Sequence, residues 1–183
     1  IVKQPKVGLA LGSGSARGWA HIGVLRELEN LGVTPDIVTG TSIGALVGGA
    51  YMANHLDSLE DWVRGLDRMD ILRLLDARLT GGGFIRGEKL MKAIAGKVRD
   101  VNIEDLDRPF ACVATDLNTG QEIWLDEGSL LEAVRASIAL PGLFSPVHHG
   151  DHWLVDGGLV NPVPVSLCRA MGADVVIAVN LNG

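Results

Sequence analysis

No run in this sequence approaches the roughly 20 consecutive apolar residues that a bilayer-spanning helix needs. An α-helical membrane span is therefore not expected, although 47% of the residues are hydrophobic. Positive charge is also scarce. Sixteen Lys and Arg stand against 22 Asp and Glu, for a formal net charge of −6, which argues against a general nucleic-acid binder. There are two cysteines, Cys112 and Cys168, both in apolar surroundings. They read as small core residues, since the composition is not that of a disulfide-stapled secreted domain. The opening Ile1-Val2-Lys3-Gln4-Pro5 carries no apolar signal-peptide core, and the missing initiator Met leaves open a removed leader or a trimmed chain. Internal repeats, linkers and low-complexity segments are absent as well, so 183 residues are expected to form one domain. A metal site is poorly supported. His148-His149-x-x-His152 lies beside Gly150 and Asp151, which reads as a loop or turn, and no His-Glu-x-x-His or Cys-x-x-Cys spacing accompanies it.

What is present is alternation of short apolar runs with helical periodicities. Lys6 to Leu11 reads as a strand and Trp19 to Leu31 as a helix, with Ile22, Leu25, Leu28 and Leu31 on one face and Gly32 as terminator. Ile37 to Thr39 reads as a second strand, followed by a helix from Ile43 to about Asn54. Ser58 is expected to cap a helix carrying Leu59, Trp62, Val63 and Leu66. Further on, the pattern predicts a helix from Glu88 to Val98, strands over 109–117 and 122–125, and a helix from Ser129 to Ala139. Strands at Trp153–Val155 and Asp174–Asn180 then bracket a helix from Pro164 to Met171. This order predicts an α/β fold, a three-layer α/β/α sandwich with a largely parallel central sheet. The chain stops just after the apolar strand "DVVIAVNL", whereas a parallel sheet needs helices on both faces, so a continuation of the chain is expected.

The stretch "DIVTGTSIGALVGGA" (36–50) contains Gly40-Thr41-Ser42-Ile43-Gly44, a G-x-S-x-G pattern between a strand and a helix. In that context the serine occupies a sharp strained turn that holds its hydroxyl clear, and the helix N-terminus favours a developing oxyanion. The competing reading makes Thr41 or Ser42 an ordinary helix N-cap. A serine hydroxyl needs a base, and two are available in sequence. A conventional triad would use Asp116 or Asp126 as acid and His149 or His152 as base. The other candidate is Asp156 in "WLVDGGLVNPVPV", where an apolar strand delivers one carboxylate to Gly157-Gly158. Asp-Gly also signals a hairpin, yet Pro162 and Pro164 interrupt the segment that would have to return as a strand.

"LGSGSARGWAHIGVL" (11–25) is a second glycine-rich strand-to-helix junction. As a dinucleotide-binding loop it fails by one residue, because Arg17 stands where the third glycine belongs. As a Walker A loop, "GGFIRGEK" (82–89) has Glu88 in place of the lysine. Successive backbone N–H groups of such a turn instead suit an oxyanion hole. Arg17 would then support that hole or a substrate phosphate, rather than being a plain solvated charge.

Gly12-x-Gly14-x-x-Arg17-Gly18, then Gly40-Thr41-Ser42-Ile43-Gly44, then Asp156-Gly157-Gly158 together resemble the patatin-like phospholipase family. The likeness is greatest to the bacterial branch akin to the neuropathy-target-esterase catalytic domain. "GWAHIGVL" (18–25), "ATDLNTGQEIW" (114–124), "AVRASIALPGLFSPV" (133–147) and "LVDGGLVNPVPV" (154–165) extend the resemblance over nearly the whole chain. It implies a Ser42 nucleophile, an Asp156 base that later activates water, and no histidine. It also implies an oxyanion hole from the N–H groups of Gly14, Ser15 and Ala16, hydrolysis of phospholipid or lysophospholipid esters, and no metal or cofactor. Ser13 and Ser15 depart from a family loop that is often all glycine, so Ser15 can donate its N–H only if its backbone conformation is open to a non-glycine residue. Family members usually continue past the end of this chain.

Expected partners are a lipid ester and, transiently, a membrane or micelle surface; the expected location is cytoplasmic. An acyl groove is expected near Ile43, Leu46, Leu140 and Phe144. Asp70 to Ile85, with Ile71, Leu72, Leu74, Leu75, Leu79 and Phe84, is a candidate lid with ordinary core packing as its alternative. Two rival functions are a non-catalytic adaptor that retains the fold and a nucleotide-binding domain using the N-terminal loop.

Overall fold

The computed structural model describes residues 4–67, 70 and 88–182. β1 (Val7–Leu11), β2 (Ile37–Thr41) and β3 (Phe110–Asp116) are parallel neighbours, and β7 (Val175–Val179) runs parallel to β1 on its far side. β4 (Glu122–Leu125), β5 (Val147–His149) and β6 (His152–Asp156) are antiparallel to their partners, giving a seven-stranded mixed sheet of order β5-β6-β3-β2-β1-β7 with β4 also on β3. The change of direction follows from connection length. β3 returns as β4 through a short Asn118-Thr119-Gly120 turn, and β5 returns as β6 through Gly150-Asp151, whereas parallel neighbours need a helical crossover. The His148–His152 stretch expected to be a loop is thus mostly strand, with His149 opposite His152 across the turn. Gly150 at φ 56 supplies the backbone conformation this turn requires.

The strands sort their residues by the two-residue period. Leu9 and Leu11 of β1, Val38 of β2, and Phe110, Cys112 and Ala114 of β3 face the main core. There they meet α1 (Ala20–Asn30), α2 (Ile43–Met52), α3 (Leu56–Gly65), α4 (Glu88–Ala95) and α5 (Leu130–Ser137). Ala10, Ile37, Ala111 and Val113 face the other way, toward α6 (Val165–Ala170) with its Leu167 and Cys168. Both cysteines are buried free thiols, as expected for small core residues. Among the described residues the layers are therefore α/β with five helices on one side and α6 on the other.

Most helices fall within a few residues of their sequence expectations, and Ser129 caps α5 by accepting the Glu132 N–H at 3.1 Å. Ser58 is not the cap of α3; the helix has already begun at Leu56. The reason lies in how α2 ends. Asn54, in the left-handed conformation at φ 60, lets the His55 N–H reach back to the Ala50 carbonyl at 2.8 Å and the Asn54 N–H to Tyr51 at 3.1 Å. This closure turns the chain at once into α3. Arg26 then ties α1 to α3 through Asp57 and Glu60. Among the described residues no helix is long and apolar enough to cross a membrane.

Candidate active site

β2 ends at Thr41, and the chain makes a sharp turn into α2 at Ser42, which has φ 56 and ψ −122. This conformation is uncommon for a residue with a Cβ and costs on the order of 1–3 kcal/mol. Close packing enforces it. A Cβ on Gly40 would come within 2.5 Å of the Ala45 Cα, and one on Gly44 within 2.2 Å of the Leu11 carbonyl oxygen. Only glycine allows β2, α2 and the end of β1 to approach this closely. Because those neighbours are backbone that cannot yield, Gly44→Ala is expected to lower stability by about 1–3 kcal/mol. Gly23→Ala, mid-α1 with open space around it, is expected to raise stability by about 0.5–1 kcal/mol. Thermal melts of the two variants beside the wild type check both signs.

Ser42 is no ordinary N-cap, since its side chain caps nothing in α2. Its hydroxyl donates to Asp156 Oδ2 at 2.6 Å. The Ser42 N–H donates to Ser137 Oγ at 2.8 Å, and the Ser137 hydroxyl donates to the Val113 carbonyl at 2.6 Å. Ser137, the fully buried last residue of α5, therefore fixes the elbow to the middle of β3. Sequence reasoning did not single it out; a serine in the apolar pattern of an α5 that is otherwise core-facing was the available signal.

β3 brings residues 42 and 156 together. β4 occupies one edge of β3 at residues 112–115, so β2 and β6 must share the other. They meet there end to end, with Thr41 opposite Val113 and Asp156 opposite Ala114. The C-terminal end of β2 and that of the antiparallel β6 thus converge from opposite directions. Gly157 permits the closeness, because a Cβ there would lie 2.1 Å from the Val113 carbonyl oxygen. After Asp156 the chain enters a 3-10 turn, Gly157–Leu159, with no returning strand. This removes the hairpin alternative. Asp156 is 4% exposed. Its Oδ1 accepts the Gly158 N–H at 2.7 Å and its backbone carbonyl accepts the Thr115 hydroxyl at 2.8 Å. Burial pushes its pKa above the usual carboxylate range, opposed by the hydrogen bonds from Ser42 and Gly158.

The glycine-rich loop packs over both halves. A Cβ on Gly18 would strike the Ile43 side chain at 2.1 Å, and Gly158 lies against Ser13. Gly12 and Ser13 donate their N–H groups to the carbonyls of Val179 at 3.0 Å and Pro162 at 2.8 Å. Ser15 to Trp19 then form a 3-10 turn whose first internal donor is the Arg17 N–H, bonded to the Gly14 carbonyl at 3.0 Å. The N–H groups of Gly14, Ser15 and Ala16 precede that donor and have no acceptor within the turn. Ser15 takes a left-handed φ of 48, so the backbone reaches this geometry with a serine in place of glycine. Arg17 is exposed beside the loop.

Other candidates lie apart. His152 Nδ1 is 2.8 Å from Asp116 Oδ2, but His152 opens β6 while Asp156 closes it, about 13 Å of extended strand away. The Asn118 N–H, then His152, hold the Asp116 carboxyl below its ordinary pKa. His149 is exposed at the hairpin, and Asp126 is exposed beyond β4, on the edge of β3 away from β2. Leu46 is buried in the core; Phe144 is buried too, Ile43 is half-buried and Leu140 is exposed. The candidate lid from Asp70 to Ile85 lies outside the described residues apart from Asp70. A cavity of about 440 Å³, lined by Met52, Asn54, Asp100 and Asp107 among others, sits at the far end of α2 from Ser42.

Comparison with known proteins gives the family of the chain. The family model described as patatin-like phospholipase matches residues 9–169. An NTE family protein of Mycobacterium tuberculosis is 44% identical over 180 residues, which are 98% of this chain and 50% of that protein. Patatin-like phospholipase domain-containing protein 7 of Mus musculus is 35% identical over 183 residues, 96% of this chain and 14% of that protein. Among solved structures, VipD from Legionella pneumophila aligns with a TM-score of 0.59 at 17% identity, over 85% of this chain and 46% of that one, a likeness of fold alone. The chain spans half or less of the length of these curated relatives. With the three glycine motifs gathered at one end of the sheet and the family model covering most of the chain, it belongs to the patatin-like phospholipase family.

Proposed function

We propose that the chain is a serine acyl-ester hydrolase acting on phospholipids or lysophospholipids through Ser42 and Asp156. The observation that carries this reading is the 2.6 Å hydrogen bond from a serine held at an elbow to a buried carboxylate whose proton affinity is raised. Asp156 takes the hydroxyl proton as Ser42 Oγ attacks the ester carbonyl carbon. The N–H groups of Gly14, Ser15 and Ala16 and the start of α2 receive the negative charge that forms on the carbonyl oxygen. Collapse of the tetrahedral adduct breaks the ester C–O bond. The alcohol leaves with the proton from Asp156, and Ser42 stays acylated. Asp156, again a carboxylate, then takes a proton from the water that attacks the acyl carbon, and it passes that proton to Ser42 Oγ as the serine ester bond breaks and the fatty acid leaves. Burial suits both steps, because a carboxylate of raised pKa is the stronger base.

Arg17, exposed beside the loop, provides a positive charge for the phosphate of a phospholipid head group. Contact with a membrane or micelle is transient in this reading, because the substrate resides there. A fluorophosphonate probe tests the proposal. Covalent label on the peptide containing Ser42, absent from the Ser42→Ala variant, is the expected result. No label on well-folded protein would favour an adaptor role for the fold.

A further inference from the structure

We infer that His21 is a positioning residue of the ester-hydrolysing site, holding the Gly12–Ser13 peptide so that the N–H groups following it face the reacting carbonyl. The inference rests on the proposed reading of the site and adds a residue to it. His21 lies in the first turn of α1, is fully buried, and places its Nε2 2.7 Å from the Gly12 carbonyl oxygen. A carbonyl only accepts, so Nε2 must carry the hydrogen, and Nδ1 keeps a lone pair for which no hydrogen-bond partner exists among the described residues. A buried imidazole with one ring nitrogen unpartnered is an unfavourable choice for packing alone, where an apolar side chain would serve better.

The geometry explains the choice. In the trans peptide joining Gly12 to Ser13, the carbonyl and the N–H point in opposite directions. The carbonyl is held by His21 and the N–H by the Pro162 carbonyl at 2.8 Å, while the preceding Gly12 N–H is held by Val179 at 3.0 Å. The peptide plane cannot rotate without breaking both bonds. Two residues further along the chain come the N–H groups that have no acceptor within the 3-10 turn. An error in this plane is carried directly into their direction, and a misplacement of about 1 Å at a reacting centre can reduce rate about 10²-fold. Desolvation pushes the His21 pKa below its ordinary value, so the ring stays neutral and brings no unpaired charge into the interior.

The test compares two polar substitutions that differ in reach. In His21→Gln the amide nitrogen stands near the place of Nε2 and can still donate to Gly12; in His21→Asn it reaches only as far as Nδ1. Turnover of a short-chain p-nitrophenyl ester and melting temperature are measured for both. Expected is a kcat within about fivefold of wild type for His21→Gln, and a fall on the order of 10²-fold at nearly constant KM for His21→Asn. Equal activity in the two folded variants, whether high or low, would overturn the inference. Should His21→Asn fail to fold, an equally severe loss in a stably folded His21→Gln would do so. Nitrogen-15 NMR of the wild-type ring at neutral pH gives a reading independent of turnover: an Nε2–H tautomer is expected, and a charged or Nδ1–H ring is contrary to the inference. Wild-type protein lacking Ser42-dependent turnover would defeat the functional reading and the alignment role with it, and the ring spectrum would still report whether the Gly12 bond exists.

Discussion

Ser42→Ala is expected to lower ester turnover by on the order of 10⁴–10⁶-fold, the loss of an activated serine nucleophile. That corresponds to about 5–8 kcal/mol of transition-state stabilisation, and among the described residues no other hydroxyl hydrogen-bonds to the Asp156 carboxylate. Ser137, the serine that hydrogen-bonds to residue 42, spends its own proton on the Val113 carbonyl. The fold should survive, because the Ser42 side chain makes one hydrogen bond to Asp156 and caps nothing. A companion variant separates strain from chemistry. Alanine keeps the Cβ that makes φ 56 unfavourable, whereas glycine does not. Ser42→Gly should therefore be equally inactive and melt above Ser42→Ala, by roughly 2–4 °C for each kcal/mol of strain relieved. Steady-state kinetics and thermal melts measure both. Turnover surviving in Ser42→Ala would remove Ser42 from the mechanism.

The second large effect belongs to Asp156→Asn, for which kcat should fall by about 10²–10⁴-fold, the contribution of a positioned general base. Its stability should move the other way. The folded pKa of Asp156 is raised, so between the unfolded value near 3.8 and that raised value the native state binds more protons than the unfolded state. Wild-type stability thus falls as pH rises through this window, and above it the buried charge is a constant penalty. Asparagine has no charge to bury and can still accept the Gly158 N–H through its amide oxygen. The variant is expected to melt at or above wild type at pH 7, with the difference closing as the pH falls through that window and gone below about 3.8. For the same reason the acidic limb of kcat/KM in the wild type should lie above the usual carboxylate range. His149→Ala and His152→Ala should leave kcat within a few-fold, since His152 is engaged with Asp116 and His149 is exposed at the hairpin. A large loss in either, with near-normal rates in Asp156→Asn, would replace the pair by a conventional triad.

Much of this was readable along the chain because it depends on neighbours close in sequence. Gly40 and Gly44 flank Ser42 within one turn, and the steric need for glycine at both is a property of a strand turning directly into a helix. The run of β1, α1, β2 and α2 followed from hydrophobic periodicity for the same local reason. The hairpin at His148–His152 did not, because only three residues of β5 pair and two of their partners, His152 and Trp153, are exposed, which leaves too little apolar alternation to read. The start of α3 was misplaced because the turn depends on Asn54 and its bonds back into α2, while Ser58 offered a more familiar cap.

By itself, the sequence determined the candidate reactive groups, the glycines that let backbones approach them, and the α/β class, since each follows from residue type and spacing over a few positions. The tertiary structure alone decided which carboxylate the serine meets. Asp116, Asp126 and Asp156 were all available in chain order. Only the end-to-end meeting of β2 and β6 on one edge of β3 brings one of them to 2.6 Å from Ser42 Oγ. Strand register between segments more than a hundred residues apart is set by the packing of the whole sheet, and no local pattern encodes it.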